Sequence, residues 1–73
     1  MKILIIGATG MLAKPVIENL ASKNIELRLF SRSIEASMFN NQHEVIKGDV
    51  FNPNDVERAI NGCDAVHISL SRT

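Results

Sequence analysis

Short apolar runs alternate along this chain with segments of helical period. Lys2-Ile3-Leu4-Ile5-Ile6 is a nearly unbroken apolar run, rich in β-branched residues and ended by Gly7. A run without polar alternation suits a strand covered on both faces, as in the middle of a parallel sheet. Leu12, Ala13, Val16, Ile17, Leu20 and Ala21 then recur at helical spacing, with Lys14, Glu18, Asn19 and Ser22 elsewhere on the helix. Pro15 is tolerated if this helix starts near Met11 or Leu12, because the first four N–H groups of a helix have no intrahelical acceptor. Asn24 ends it.

Ile25-Glu26-Leu27-Arg28-Leu29-Phe30 alternates at first and reads as a second strand with one face less covered than those of the first. Ser31-Arg32-Ser33 is a loop. Ile34 to Phe39 reads as a short helix broken by Asn40-Asn41-Gln42. Glu44-Val45-Ile46-Lys47 is a short third strand closed by Gly48-Asp49. Asn52-Pro53 has the form of a helix start, with Asn as N-cap and Pro at the first helical position. Asp55 and Glu57 favour the positive end of that helix, Val56, Ala59 and Ile60 supply its buried face, and Asn61-Gly62 stops it. Ala65-Val66-His67-Ile68-Ser69-Leu70 is a fourth strand. The order β-α-β-α-β-α-β predicts an α/β fold with a parallel sheet and right-handed crossovers. In the doubly wound, three-layer arrangement the strand order is 3-2-1-4.

Composition narrows the functional classes. Nearly half of the 73 residues are apolar, which is a globular and not a disordered composition. Eight basic and eight acidic residues cancel, and no basic stripe suggests a nucleic-acid partner. No apolar stretch approaches the roughly 20 residues of a membrane span, and Met1 to Ile6 is too short for a signal peptide. A cytoplasmic protein without membrane contact is expected. Cys63 is the single cysteine, with no partner spacing for a disulfide or a metal, and reads as a buried core thiol. His67, inside a strand, reads as a hydrogen-bonded structural residue and His43 as exposed. Met38 and Phe39 read as core or as cover for a sheet edge. No metal site and no catalytic triad spacing is present.

The chemistry is concentrated in Gly7-Ala8-Thr9-Gly10-Met11-Leu12-Ala13, which joins the first strand to the first helix. Gly7 permits a tight turn, Gly10 lets the backbone approach an anion closely, and Ala13 lets helix and strand pack tightly. Free N–H groups near Gly10, Met11 and Leu12, assisted by the helix dipole, then form a seat for a pyrophosphate.

These residues resemble the short-chain dehydrogenase/reductase superfamily, whose extended and atypical members open with GATGxxG. Gly7-Ala8-Thr9-Gly10 matches, and Ala13 replaces the last glycine. The atypical, NmrA-like members look most similar. The resemblance implies a Rossmann-type domain, with residues 1–73 forming its N-terminal part, truncated after the fourth strand. It also implies a dinucleotide cofactor. An NAD-preferring site has an acidic residue at the end of the second strand. Here that end is Phe30-Ser31-Arg32, and Arg32 is a planar cation suited to a 2′-phosphate. Ser31 or Ser33 adds hydroxyls, so NADP (NADPH) is expected to be preferred over NAD. By the same resemblance Asp49 approaches the adenine amine and Val50 flanks the ring; the plainer reading of Asp49 is a turn or capping carboxylate. Ser69, with Leu70 and Ser71, would border the ribose and nicotinamide. Thr9 belongs to the expected cofactor loop.

Reductases of this superfamily take a tyrosine and a lysine from a YxxxK motif, and this sequence contains no tyrosine. No catalytic residue is therefore assigned. Three functions compete: an NAD(P)-binding fragment of an NADPH-dependent oxidoreductase, a non-catalytic NAD(P)-sensing regulatory protein, and an interaction module with a relic glycine loop. The chain alone is expected to be catalytically inactive. An open edge on the fourth strand predicts a homo-oligomer, or pairing of that edge with another chain.

Overall fold

The computed structural model describes residues 1–9, 13–34 and 42–69. The apolar runs become four strands, β1 (Lys2–Ile6), β2 (Glu26–Ser31), β3 (Glu44–Lys47) and β4 (Ala65–Ile68), with helices α1 (Ala13–Ser22) and α2 (Pro53–Ile60) between them. All strand pairs are parallel and the order is β3-β2-β1-β4, as the periodicity predicts. The register sets Ile3 opposite Leu27 and Ala65, and Phe30 opposite Ile6 and Ile46. Apart from Ile34, which is buried, the expected short helix over Ile34 to Phe39 lies outside the described residues, with Met38 and Phe39 in it.

The lack of alternation in β1 follows from its central position. Ile5 joins one apolar cluster with Ala13 and Ile17 of α1 and Leu27 and Leu29 of β2. Leu4 and Ile6, on the opposite face, join Phe30 of β2 and Ala59 of α2. The helices thus cover opposite faces and the fold has three layers. Both helix ends follow their local chemistry. Asn24 takes φ 60°, the left-handed conformation that asparagine tolerates after a helix. The Asn52 side chain accepts from the Asn54 N–H at 3.0 Å with Pro53 at the first helical position, and Gly62, at φ 86°, follows the end of α2.

The less-covered face of β2 carries Arg28, half-buried between Leu27 and Leu29. Its Nη1 donates to the carbonyls of Ala59 (2.8 Å) and Asn61 (2.5 Å), at the end of α2. Helix C-terminal carbonyls lack intrahelical donors and favour a cation, so a strand arginine caps the helix. Its Nε donates to Glu44, and Lys2 lies 3.7 Å from the same carboxylate. The hydrogen bond from Arg28 is the main cause holding the Glu44 carboxyl below its ordinary value; desolvation opposes it, and the charges of Arg28 and Lys2 reinforce it.

Three residues depart from expectation. Cys63 is half-buried, not buried, because it follows α2 at the rim of the second cluster, where its thiol lies 3.6 Å from the Ala59 carbonyl. Ile60, expected on the buried face of α2, is 40% exposed. His67 stands inside a strand, as expected, and is exposed. It lies on β4, one of the sheet's two edge strands among the described residues, and neither apolar cluster draws on that strand. Val66 and Ile68 are exposed there as well. His43 is half-buried instead of exposed, at the entry to β3 beside β2. Among the described residues, no helix is long and apolar enough to cross a membrane.

Candidate functional site

Parallel strands deliver their following loops to one edge of the sheet, and in open α/β sheets that carboxyl edge is where ligands bind. The loops after β1, β2 and β3 surround a cavity of about 440 Å³. Seven of the residues singled out from sequence line it: Gly7, Thr9, Ser31, Arg32, Ser33, Asp49 and Val50. They come from three segments separated in sequence and assembled only by the parallel register. Phe51, Phe30 and Gly48 share the lining. Gly10, Met11 and Leu12 lie outside the described residues. Ser69 is not brought to this cavity: it is buried past the end of β4, where its N–H donates to the Ile6 carbonyl at 2.8 Å.

The first turn is set by its backbone. Gly7 adopts φ 82°, a left-handed conformation that a Cβ would strain. That conformation aims two successive amides at one acceptor: Gly7 and Ala8 donate to the Phe30 carbonyl at 2.9 and 3.2 Å. These two N–H groups are therefore not available to an anion. Ala8 is buried in the first cluster and pins the turn, whereas Thr9 is exposed. Thr9 Oγ1 and Ser31 Oγ lie 2.9 Å apart and tie the loop after β1 to the loop after β2. Ala13, the small residue at the third position of the glycine pattern, is completely buried against the sheet. A larger side chain there would separate helix and strand.

Side chains hold the second turn. A Cβ at Gly48 would fall 2.7 Å from Phe30 Cε2, 2.9 Å from Phe30 Cζ and 3.1 Å from Asp55 Cβ. Phe30 is only 1% exposed, so its ring has little room to move away. The Asp49 N–H donates to Asp55 Oδ2 (3.0 Å), and Asp49 Oδ1 accepts from the Phe51 N–H (2.9 Å). The Asn52 N–H donates to the Asp49 carbonyl at 2.9 Å. Asp49 thus serves as a turn carboxylate, the plainer of its two sequence readings, while it also lines the cavity. Val50 is half-buried against the second cluster; Phe51 is 88% exposed.

Three contributors were not legible from sequence. Phe30 supports both turns, one through its carbonyl and the other through its ring. Asp55 looks like a helix-start charge, yet one of its oxygens holds the Asp49 amide while the other accepts from Arg58 at 3.1 Å. Phe51 carries the one signal that was available, an aromatic side chain in a turn where polar residues are usual.

The cavity offers hydroxyls (Thr9, Ser31, Ser33), one cation in Arg32 and one carboxylate in Asp49 among its described lining residues, over an apolar floor. Such a mixture suits a ligand that is part polar and part apolar. Among the described residues, no group of three or more His, Cys, Asp or Glu converges as metal ligands would. A wider depression of about 910 Å³ runs along α2, bordered among the described residues by positions within 53–61.

A family model described as NAD(P)H-binding matches residues 7–73. The match starts at the glycine that turns the chain out of β1 and includes all seven lining residues singled out from sequence. No curated protein matches the chain.

Proposed function

Because the chain belongs to the NAD(P)H-binding family, we propose that the cavity at the carboxyl edge receives the adenosine half of the dinucleotide, with NADPH preferred over NADH. The observation that carries this reading is the convergence of Gly7, Thr9, Ser31, Arg32, Asp49 and Val50 on one cavity from three separate loops. Arg32 is exposed at that cavity directly after β2. No carboxylate stands at the end of β2, so a 2′-phosphate meets a guanidinium there and not a like charge. Ser31 and Ser33 supply hydroxyl donors, and Asp49 and Val50 border the adenine. The diphosphate falls to the amides of Gly10, Met11 and Leu12, since those of Gly7 and Ala8 are engaged by Phe30. Ser69 would border the nicotinamide side.

When bound, the dinucleotide supplies hydride-transfer chemistry; this chain's part is to seat and orient it. In this reading the protein is the cofactor-binding part of an oxidoreductase of the atypical short-chain type, similar to the NmrA-like group. A second reading, a non-catalytic dinucleotide sensor, is favoured by one observation. Asp49, the carboxylate on the cavity wall, is hydrogen-bonded into its own turn.

Calorimetric titration with NADPH and NADH tests the proposal. Tighter binding of NADPH is expected, and Arg32→Gln should remove the preference by weakening NADPH about tenfold, as loss of a charge-assisted hydrogen bond does. Equal affinity for the two dinucleotides in the unaltered chain would refute the preference; no binding of either would refute the site.

A further inference from the structure

We infer that Phe51 is an aromatic wall of the adenine subsite and selects for a flat heteroaromatic base. This rests on the dinucleotide reading above and assigns a role to a residue outside the glycine loop and the Arg32 region. Phe51 is 88% exposed, more than Met1, Ile60, Val66 or Ile68, and it borders the cavity. The chain contains no Trp or Tyr, and Phe30, also at this site, is buried. Phe51 is therefore the aromatic residue, among those described, that can give a face to a ligand.

Single exposed apolar residues are ordinary on protein surfaces. What distinguishes this one is how its backbone is held. The Phe51 N–H is bound by Asp49 Oδ1, the Asn52 N–H by the Asp49 carbonyl, and the Asp49 N–H by Asp55 Oδ2 from the first turn of α2. Hydrogen bonds on both sides of Val50-Phe51 restrain the turn before any ligand arrives, so less ordering entropy is lost on binding. Val50 packs inward on the second cluster and Phe51 does not join it. Stacking on an aromatic ring is tolerant of base identity but requires a π-face, so the chemistry recognised is a planar base attached to the phosphorylated ribose that Arg32 faces.

The test is titration of the full chain and of its Phe51→Ala and Phe51→Trp variants with NADPH and with adenosine 2′,5′-bisphosphate, which lacks the nicotinamide half. Phe51→Ala should weaken both ligands by the same factor, about tenfold, and Phe51→Trp should bind at least as tightly as the unaltered chain. Unchanged thermal unfolding of both variants is expected from the exposure of the side chain. Phe51→Ala binding both ligands as well as the unaltered chain would overturn the inference. So would a loss confined to NADPH, because the contact would then lie on the nicotinamide side. If the unaltered chain binds neither ligand, the dinucleotide reading itself fails, a result distinct from both of these.

Discussion

Two strand-to-helix turns share the carboxyl edge of this sheet and are held by opposite means. The turn after β1 is a backbone device: Gly7 at φ 82° and two amides directed at the Phe30 carbonyl. The turn after β3 depends on side chains: the Asp49 and Asp55 carboxylates, the Asn52 cap and the Phe30 ring beneath Gly48. Glycine occurs in both for different reasons. Gly7 is needed for its conformation, Gly48 for the space that its missing Cβ leaves to Phe30. A backbone device leaves its mark in a short motif, whereas a side-chain device draws on residues whose proximity only the fold creates.

Phe30 joins the two turns and gives the largest expected effect. Phe30→Ala should cost about 3–5 kcal/mol, a large part of the stability of so small a domain; denaturant unfolding measures it, and an unshifted midpoint would break the account. Phe30→Leu is the sharper probe, since it removes the ring but keeps an aliphatic side chain in the core. Amide hydrogen exchange should then accelerate at Asp49, Phe51 and Asn52 while Gly7 and Ala8 retain their protection.

Next in size come the glycines. Gly48→Ala should destabilise by about 1–3 kcal/mol through overpacking, and Phe30→Leu in the same chain should relieve part of that cost. Gly7→Ala should cost about 1–2 kcal/mol through left-handed strain, with no such relief. A double-mutant cycle that finds the same coupling to Phe30 for both glycines would erase the distinction between the turns. Asp55→Ala should cost about 1 kcal/mol from the lost bond to the Asp49 amide, read as faster exchange at Asp49 and Phe51.

The smallest effect belongs to Glu44, which lies outside both turns and serves as a control. Its side chain is half exposed, so Glu44→Gln should cost less than about 1 kcal/mol. Because its carboxyl is held below the ordinary value of 4.5, its contribution is present above that pH and disappears as the pH falls through the lowered pKa. Unfolding of the two proteins should therefore differ near neutrality and converge in acid; a difference that grew on acidification would contradict the Arg28–Glu44 pairing.

The same contrast explains what could be read in advance. β1 and β3 match their expected residue ranges because short β-branched runs ended by a glycine are local signals. The Asn52-Pro53 helix start is likewise written in adjacent residues. The short α2 leaves room for Arg28, far away in sequence, to cap its carbonyls, and nothing local announces that. The exposure of Val66, His67 and Ile68 has no local signal, because an apolar strand pattern does not say whether a strand is central or at an edge. At the cavity, Arg32, Ser31 and Asp49 carry chemistry that is recognisable in the sequence. Phe30 and Asp55 were not, since each acts through a neighbour that the register places beside it.

Mapping of NADPH binding by amide chemical shifts is the most direct test of the central claim. Saturable shifts are predicted at Gly7, Thr9, Ser31, Arg32, Asp49, Val50 and Phe51, with the α2 surface from Asn54 to Asn61 unmoved. Shifts confined to the α2 surface, or none at saturating NADPH, would contradict a dinucleotide site at the carboxyl edge of this sheet.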